Sequence, residues 1–425
     1  MSPAGALNLA ITATLPDSET LAPLLPHWLG WQGVAATAQI TGTRDAPHLA
    51  LDVAPRGLRS DIAPLAALLG ATPRLELRAT TPDRIERLSL IGAGLQAELR
   101  GAVGEVLDVN FTAEASLAEG DVTGALRLAG RATGPRQDPS LSLTAESPRL
   151  AGAGQVLEGL RLAAEIATPL SAPRVSVQAG GRLQGLPLNL DVAGGPEDEG
   201  WLRLSRAALR FGPAEARAEG RLHPQRRLFE GPLTLDAPDL APFSALARQP
   251  IAGALTLRAT GTAPEGIQRG EAVLEVPRLT LPQASVAGLR VTASGDQRLL
   301  EMTLRGRIDQ LETDFAARLS EAPAGARRLE ITRLVATGAG ETMRLSAPAR
   351  LTLGADGGLE VAPLTLNLGR GATLRAEGKF GPERADLRLT LPPVALAGLA
   401  SLVPDANPSG TLGFCLLYTS PSPRD

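Results

Sequence analysis

Glu301-Met302-Thr303-Leu304-Arg305-Gly306-Arg307-Ile308-Asp309 is the stretch that decides the fold. Met302, Leu304, Gly306 and Ile308 alternate one for one with Glu301, Thr303, Arg305, Arg307 and Asp309. Successive side chains of an extended chain point to opposite faces, so this segment has one apolar and one polar face. The same period returns along the chain. Leu374, Ala376, Gly378 and Phe380 alternate with Arg375, Glu377 and Lys379, and Ala216, Ala218, Gly220 and Leu222 with Glu215, Arg217, Glu219 and Arg221. Leu364-Thr365-Leu366-Asn367-Leu368 and Leu387-Arg388-Leu389-Thr390-Leu391 repeat it. Turn signals such as Ala355-Asp356-Gly357-Gly358 and Gly369-Arg370-Gly371 separate the segments and suit hairpins. A strand with its turn takes roughly 12–14 residues, which predicts about 30 strands in an antiparallel meander. At ~4.7 Å per strand, such a sheet would extend on the order of 140 Å if fully open.

Composition supports an all-β repeat and excludes several function classes. Of 425 residues 44% are hydrophobic but only 3% aromatic, so Leu, Ala and Val carry the apolar surface. Gly 46 and Pro 35 punctuate the chain without a collagen-like period. A net charge of −3 with 20% charged residues is too balanced to favour nucleic acid or a polybasic membrane contact. No run approaches the ~20 apolar residues of a membrane-spanning helix. The first residues, Met1-Ser2-Pro3-Ala4-Gly5, carry no basic or apolar leader and run straight into the strand-like Leu7–Ala13. Residues 1–414 therefore read as an internal section of one repetitive elongated β-protein. Cys415-Leu416-Leu417-Tyr418-Thr419-Ser420-Pro421-Ser422-Pro423-Arg424-Asp425 differs from everything before it and resembles a translated sequencing adaptor. Residues 415–425 read as a non-native tail, and without them the chain holds no cysteine.

Four short helical interruptions are expected. Leu21–Leu25, Ile62–Leu68 and Leu240–Leu246 share an apolar pattern around a proline, and Leu396–Leu402 is a looser fourth. Asp61 and Asp239 precede two of them, where a carboxylate can cap the first turn. Gly33, Gly253 and Gly410 open the strands that follow three of them, and Gly124 opens a similar one.

Nothing in the sequence resembles a catalytic site, and the chain reads as a non-enzyme with no cofactor and no metal site. His27, His48 and His223 lie far apart, each beside a proline, and read as solvated loop residues. Pro196-Glu197-Asp198-Glu199-Gly200 could offer oxygen ligands to a hard cation but reads better as a solvated turn. Phosphate-binding loops, Gly-x-Ser-x-Gly and His-Glu-x-x-His are missing. The dispersed aromatics provide no stacking platform for nucleic acid.

The apolar face is then the candidate site, because a one-layer sheet cannot leave so many Leu, Ala and Val side chains in water. A barrel of the outer membrane needs aromatic girdles that three Trp and seven Phe cannot supply. Five Asn are too few for the side-chain ladders of a parallel β-helix. Two readings stay open: stacked β-sandwich modules of a structural or adhesive protein, or a sheet curled lengthwise into an apolar groove. In the groove reading the lining includes Met302, Leu304, Ile308, Leu364, Leu366, Leu368, Leu374, Phe380, Leu387, Leu389 and Leu391.

Three stretches carry a resemblance to a known family. They are Gly253–Thr262, echoed at Gly33–Thr43; Leu233-Thr234-Leu235-Asp236-Ala237-Pro238-Asp239-Leu240-Ala241-Pro242-Phe243; and Leu387–Phe414 with its closing Pro408-Ser409-Gly410-Thr411-Leu412-Gly413-Phe414. The chain resembles an internal part of the TamB family of the AsmA-like superfamily, the large periplasmic component of the translocation and assembly module. The resemblance implies a β-taco, an elongated curled antiparallel sheet around a hydrophobic groove with a few short helices. It implies a periplasmic protein of a Gram-negative bacterium, anchored in the inner membrane by a segment outside this sequence. It also implies transport of phospholipid, whose acyl chains occupy the groove. A TamA-like Omp85 outer-membrane barrel would be its partner, with a role in outer-membrane protein insertion.

Overall fold

The computed structural model describes residues 6–18, 29–43, 46–80, 83–117, 122–167, 173–338, 341–369, 372–381, 384–395 and 410–421. The chain forms two units, Met1–Gly212 and Pro213–Asp425. Both are all-β and antiparallel, with only a few short helices, and 27 strands belong to sheet of this kind. In the first unit each strand pairs with the next, from Ala6–Leu15 through Gly33–Thr43 and Pro47–Arg56 to Leu202–Phe211. The second unit does the same from Ala214–His223 to Thr411–Pro421, except that Glu341–Leu345 and Ala349–Leu353 share one place in the sheet, each between Arg327–Gly338 and Leu359–Asn367. Leu29–Gly30 and Arg59–Ser60 form a separate two-stranded ribbon. This is the expected meander, and within each unit the long strands belong to one sheet, not to two facing sheets.

The alternation read from sequence is the alternation of burial. Along Leu299–Ile308, Leu300, Met302, Leu304 and Ile308 are half-buried, while Glu301, Thr303, Arg305 and Arg307 are exposed. On the polar face, opposite charges stand directly across from each other. Arg318 meets Glu301 at 2.9 Å, Arg307 meets Glu312 at 3.2 Å and Arg305 meets Asp314 at 3.5 Å, all in opposed positions of one strand pair. Arg350–Glu330, Lys379–Glu360 and Arg388–Glu377 continue the theme at 3.3, 3.0 and 3.2 Å. In the first unit Arg127 and Glu114 do the same at 3.2 Å, and Arg131 reaches Asp108 diagonally across the same strand pair at 2.9 Å. Exposed pairs of this kind contribute about 0–1 kcal/mol each. Their larger effect is on register, since a slip of one residue would turn each charge towards the apolar face.

Bulges interrupt the ladders at intervals, among them Ile85/Leu88, Gly124/Arg127 and Glu158/Arg161 in the first unit. Ala254/Thr256, Ala287/Arg290 and Val361/Leu364 are their counterparts in the second. Each bends its strand and raises the local twist. The Val361/Leu364 bulge also repairs the pattern. Val361-Ala362-Pro363-Leu364 breaks strict alternation, and the extra residue returns Leu364 and Leu366 to the face of Val361. Pro363, with no N–H to donate, fits such an interruption.

Two of the four expected helices fall within the described residues. Ala63–Leu69 is an α-helix with Pro64 in its first turn, and Ala241–Phe243 is a 3₁₀ turn running into a short helix, Ser244–Ala247. Leu21–Leu25 and Leu396–Leu402 lie outside them. Asp239 behaves as expected, its Oδ1 accepting the Ala241 N–H at 2.9 Å. Asp61 does not cap its helix; Ser60 Oγ instead accepts the N–H of Ile62 at 3.2 Å.

The histidines differ from the sequence reading. His48 is exposed as expected, but it lies within the strand Pro47–Arg56, opposite Thr41 and Thr80, and not in a loop. His223 ends its strand buried, 3% exposed, with Nδ1 accepting the Arg226 N–H at 3.4 Å, because the turn folds back over it. His27 lies outside the described residues. The acidic stretch is a turn, in which Glu197 reaches Arg203 at 3.2 Å. Residues Cys415–Pro421 extend a strand that pairs with Arg384–Ala395. A sheet edge accepts any extended segment of β-forming residues, which this segment is.

Gly253, at the start of its strand, has φ 137, and an added Cβ would sit 2.1 Å from the Arg278 carbonyl oxygen. Gly253→Ala is expected to lower the unfolding free energy by about 2–3 kcal/mol. Gly266→Ala, at φ 74 with open space around it, should cost about 1 kcal/mol. Urea midpoints of the two variants check the difference.

Candidate functional site

The apolar face is built by register. In the first unit Ile11, Ala38, Leu51, Leu77, Leu88, Leu99, Phe111, Gly130, Leu143, Ala164, Val177, Val192 and Ala207 are opposed one to the next across successive strands. No polar side chain enters that row. Gly130 belongs in it for a steric reason: a Cβ there would lie 2.2 Å from Phe111 Cζ, so the ring occupies the space above the glycine backbone.

The second unit repeats the device. Ala216, Leu235, Leu257, Leu274, Val291, Leu304, Phe315 and Leu334 form one row. A parallel row runs through Ala218, Leu233, Ala259, Ala272, Ala293, Met302, Ala317, Ile331 and Ala349. A third joins Leu300, Leu319, Leu329, Leu351, Val361, Gly378 and Leu387.

The residues singled out from sequence fall on this face in several ways. Met302 and Leu304 lie in the central rows. Ile308 opposes Leu311 and Val286 at the end of its strand. Leu364, Ala376 and Leu389 are in line, Leu366 opposes Leu374, and Leu387 opposes Gly378. Leu391 opposes Phe414 and is 4% exposed. Phe380 closes its strand with 38% of its surface exposed. Leu368 lies past the strand Leu359–Asn367, in the turn where its N–H donates to the Ala372 carbonyl at 2.8 Å. The first-unit rows were absent from the sequence reading, although their alternation is as regular. Register, not alternation, is what reveals that they line up.

Burial shows what kind of face this is. Leucines in the interior of a two-layer sandwich would be almost wholly covered. Here Leu51, Leu88, Leu143, Leu304 and Leu334 are only half-buried. Where the face is fully covered, the residue is often small: Ala115 and Ala145 in the first unit, Ala317 and Ala336 in the second. Side chains shelter their neighbours within one layer, and among the described residues no interlocked second layer covers them.

Depressions exist on the charged face, and their charges are spent on one another. One of about 520 Å³ is lined by Arg87, Glu98, Glu114 and Arg127, with Arg87–Glu98 at 3.4 Å. Another of about 620 Å³ is lined by Arg305, Arg307, Glu312 and Asp314, paired as described above. The Asp296 carboxyl is held below the usual range by the N–H groups of Leu299 and Arg298, at 2.9 and 2.8 Å, in a turn. Among the described residues no group of His, Cys, Asp and Glu is arranged to hold a metal ion, and no helix is long and apolar enough to cross a membrane.

No family model matches the chain, and no curated protein matches it.

The half-burial of Leu304 gives a direct test of the one-layer reading. Leu304→Ala is expected to cost about 1–1.5 kcal/mol, against the 2–5 kcal/mol typical of a closed core. A loss of 3 kcal/mol or more in urea unfolding would show that something covers the face.

Proposed function

We propose that the chain is a conduit for phospholipid, with acyl chains held along the apolar face and head groups kept at its polar margins. The observation that carries this reading is the continuity of the rows: within each unit, strand after strand contributes Leu, Val, Ala, Phe, Ile, Met or Gly and no charge. Hydrocarbon makes no directional bonds, so neighbouring positions along such a row are nearly equivalent and a chain can shift between them. Each CH₂ removed from water gains ~0.8 kcal/mol. Half-covering a sixteen-carbon chain would therefore gain about 6 kcal/mol, enough to hold it and little enough to let it move on. The resemblance to the TamB family supplies the setting: the periplasm, an inner-membrane anchor, a TamA-like Omp85 barrel as partner and a part in outer-membrane biogenesis and protein insertion. The reading assigns no enzymatic step, and the charged face, neutralised by its own ion pairs, offers no site for nucleic acid.

Two measurements test it. Organic extraction of the purified protein followed by mass spectrometry should return phospholipid, and a lipid-free extract counts against the proposal. Leu366→Glu combined with Leu389→Glu should abolish lipid recovery while the β-sheet circular dichroism is kept, because both positions are half-buried. If the double variant unfolds, these side chains belong to a packed core and the conduit reading fails.

A further inference from the structure

In the second unit a bulged pairing is first followed by an intact one. Between the bulges at Ala254/Thr256 and Ala287/Arg290, the pairing of Arg269–Leu281 with Ala284–Asp296 carries no shift. From Leu311–Glu321 to Thr373–Phe380 this changes, and four consecutive pairings are interrupted at the same height. In the first of them Arg333 opposes Ala316 and Ile331 opposes Ala317, which leaves Thr332 over. Its Oγ1 donates to the Ala316 carbonyl at 3.2 Å. In the next two the strand itself is split: Glu341–Leu345 ends, the exposed Ser346-Ala347-Pro348 follows, and Ala349–Leu353 resumes. The Ser346 N–H crosses this gap to the Thr365 carbonyl at 2.9 Å. In the fourth, Ala362 and Pro363 stand out of the ladder at the Val361/Leu364 bulge. Pro348 and Pro363 have no N–H with which to mend it. Ala317 and Ala349 border this line on one side and Ala336 on the other. They are 2%, 1% and 4% exposed, whereas Leu304, Leu334 and Leu351 of the same face are half-buried.

We propose that this line is a hinge in the second unit, along which its apolar face folds over itself when nothing lies on it. Bending a sheet across its strands strains every hydrogen bond on the bend, so a regular ladder resists as a whole. Here the change in backbone angles falls on Thr332, Ser346–Pro348 and Ala362, which have few ladder bonds to lose. Bulges already bend their strands at this height. The pairings on either flank, of Leu299–Ile308 with Leu311–Glu321 and of Thr373–Phe380 with Arg384–Ala395, carry no shift, which confines the hinge to this strip. The half-exposed leucines beside the line gain cover when the face folds inward, and that gain drives closure. Alanine suits the residues nearest the line, because side chains of a single carbon let the two halves approach. That acyl chains reopen the hinge rests on the phospholipid reading above. A chain lying along the line gives each half the cover that the other half gave it.

Spin labels on one strand, either side of the line, read the bend. In a Cys415→Ser background, Arg328→Cys and Thr337→Cys replace exposed residues of Arg327–Gly338 and would stand roughly 30 Å apart on a straight strand. Double electron–electron resonance should give two distances, or one broad one. Val106→Cys with Ser116→Cys lies on Val106–Leu117, whose pairings on both sides are unshifted, and should give a single narrow distance. Ala349→Leu fills the space into which the face closes. It should move the Arg328/Thr337 population to the longer distance while the circular dichroism is kept; should that variant unfold, the comparison between the two pairs still decides. Vesicles of phosphatidylethanolamine and phosphatidylglycerol, added to protein stripped of lipid on a hydrophobic resin, should move it the same way. A distance as narrow as that of the first-unit pair overturns the hinge, and so does one that a folded Ala349→Leu leaves in place. Two distances that answer to Ala349→Leu and ignore the vesicles uphold the hinge and count against the phospholipid reading instead.

Discussion

The structure depends on parity. A strand in a sheet can turn only every second side chain to a given face, and a neighbouring strand joins that face only if its register agrees. Each pairing in the two units must therefore make the same choice, because one odd shift would carry charges onto the apolar side for that strand. The ion pairs act at this level. Glu301 opposite Arg318, or Glu360 opposite Lys379, adds little stability on a wet surface. A shifted strand would lose several such partners together and bury their charges, so small local terms sum to a large penalty against the wrong alignment.

Composition and geometry fit one another on the other face. A core closed by two sheets is filled by large side chains interlocking across about 10 Å. The rows here mix leucine with alanine, and Ala218, Ala259, Ala272, Ala293, Ala317 and Ala349 share a row with Met302 and Ile331. Small residues let neighbouring strands shelter one another without a second layer, at the cost of leaving the leucines half-covered. The low aromatic content belongs to the same economy, since broad rings would stand above such a floor. Phe111 is accommodated only because Gly130 is bare beside it.

Much of this was legible from the residues alone. Glu301–Asp309 declares its strand because nothing but a period of two separates its arginines from its leucines. Strand number and the meander followed from the spacing of turns, and Ala355-Asp356-Gly357-Gly358 is a turn in which Asp356 accepts the Gly358 N–H at 2.9 Å. What was not legible depends on which residue faces which. The sequence around Val361-Ala362-Pro363-Leu364 does not say that a bulge keeps both ends on one face. Nor does alternation separate Leu366, inside the ladder, from Leu368, one step beyond it. His223 is buried by a turn that folds back on it, and a flanking proline carries no trace of that. The rows of the first unit were hidden for the same reason, since Leu51, Leu143 and Val177 meet only through a register that no single segment encodes.

The meander also explains where the helices fall. In an antiparallel sheet of sequential strands, every second connection lies on the same long edge. Within the first unit, the connection from Arg56 to Arg74, which holds the helix Ala63–Leu69, lies on one edge, and the turn from Thr43 to Pro47 that precedes it lies on the other. Within the second unit, the connection from Ala237 to Ala252, which holds Ala241–Phe243 and Ser244–Ala247, likewise lies on one edge. Ala63–Leu69 shows what such an insertion does there. Its last carbonyls, of Leu68 and Leu69, accept the N–H groups of Gly94 and Ala93 at 2.9 and 3.1 Å, so the helix end is satisfied by a turn two strands further on. That contact ties together strands which the ladder alone joins only through their neighbours. An apolar helix can be added on this edge without disturbing the register of any strand, because the connection it occupies already has to turn the chain around. Repetition along the sheet and variation at one margin are therefore compatible, and parity is what makes them so.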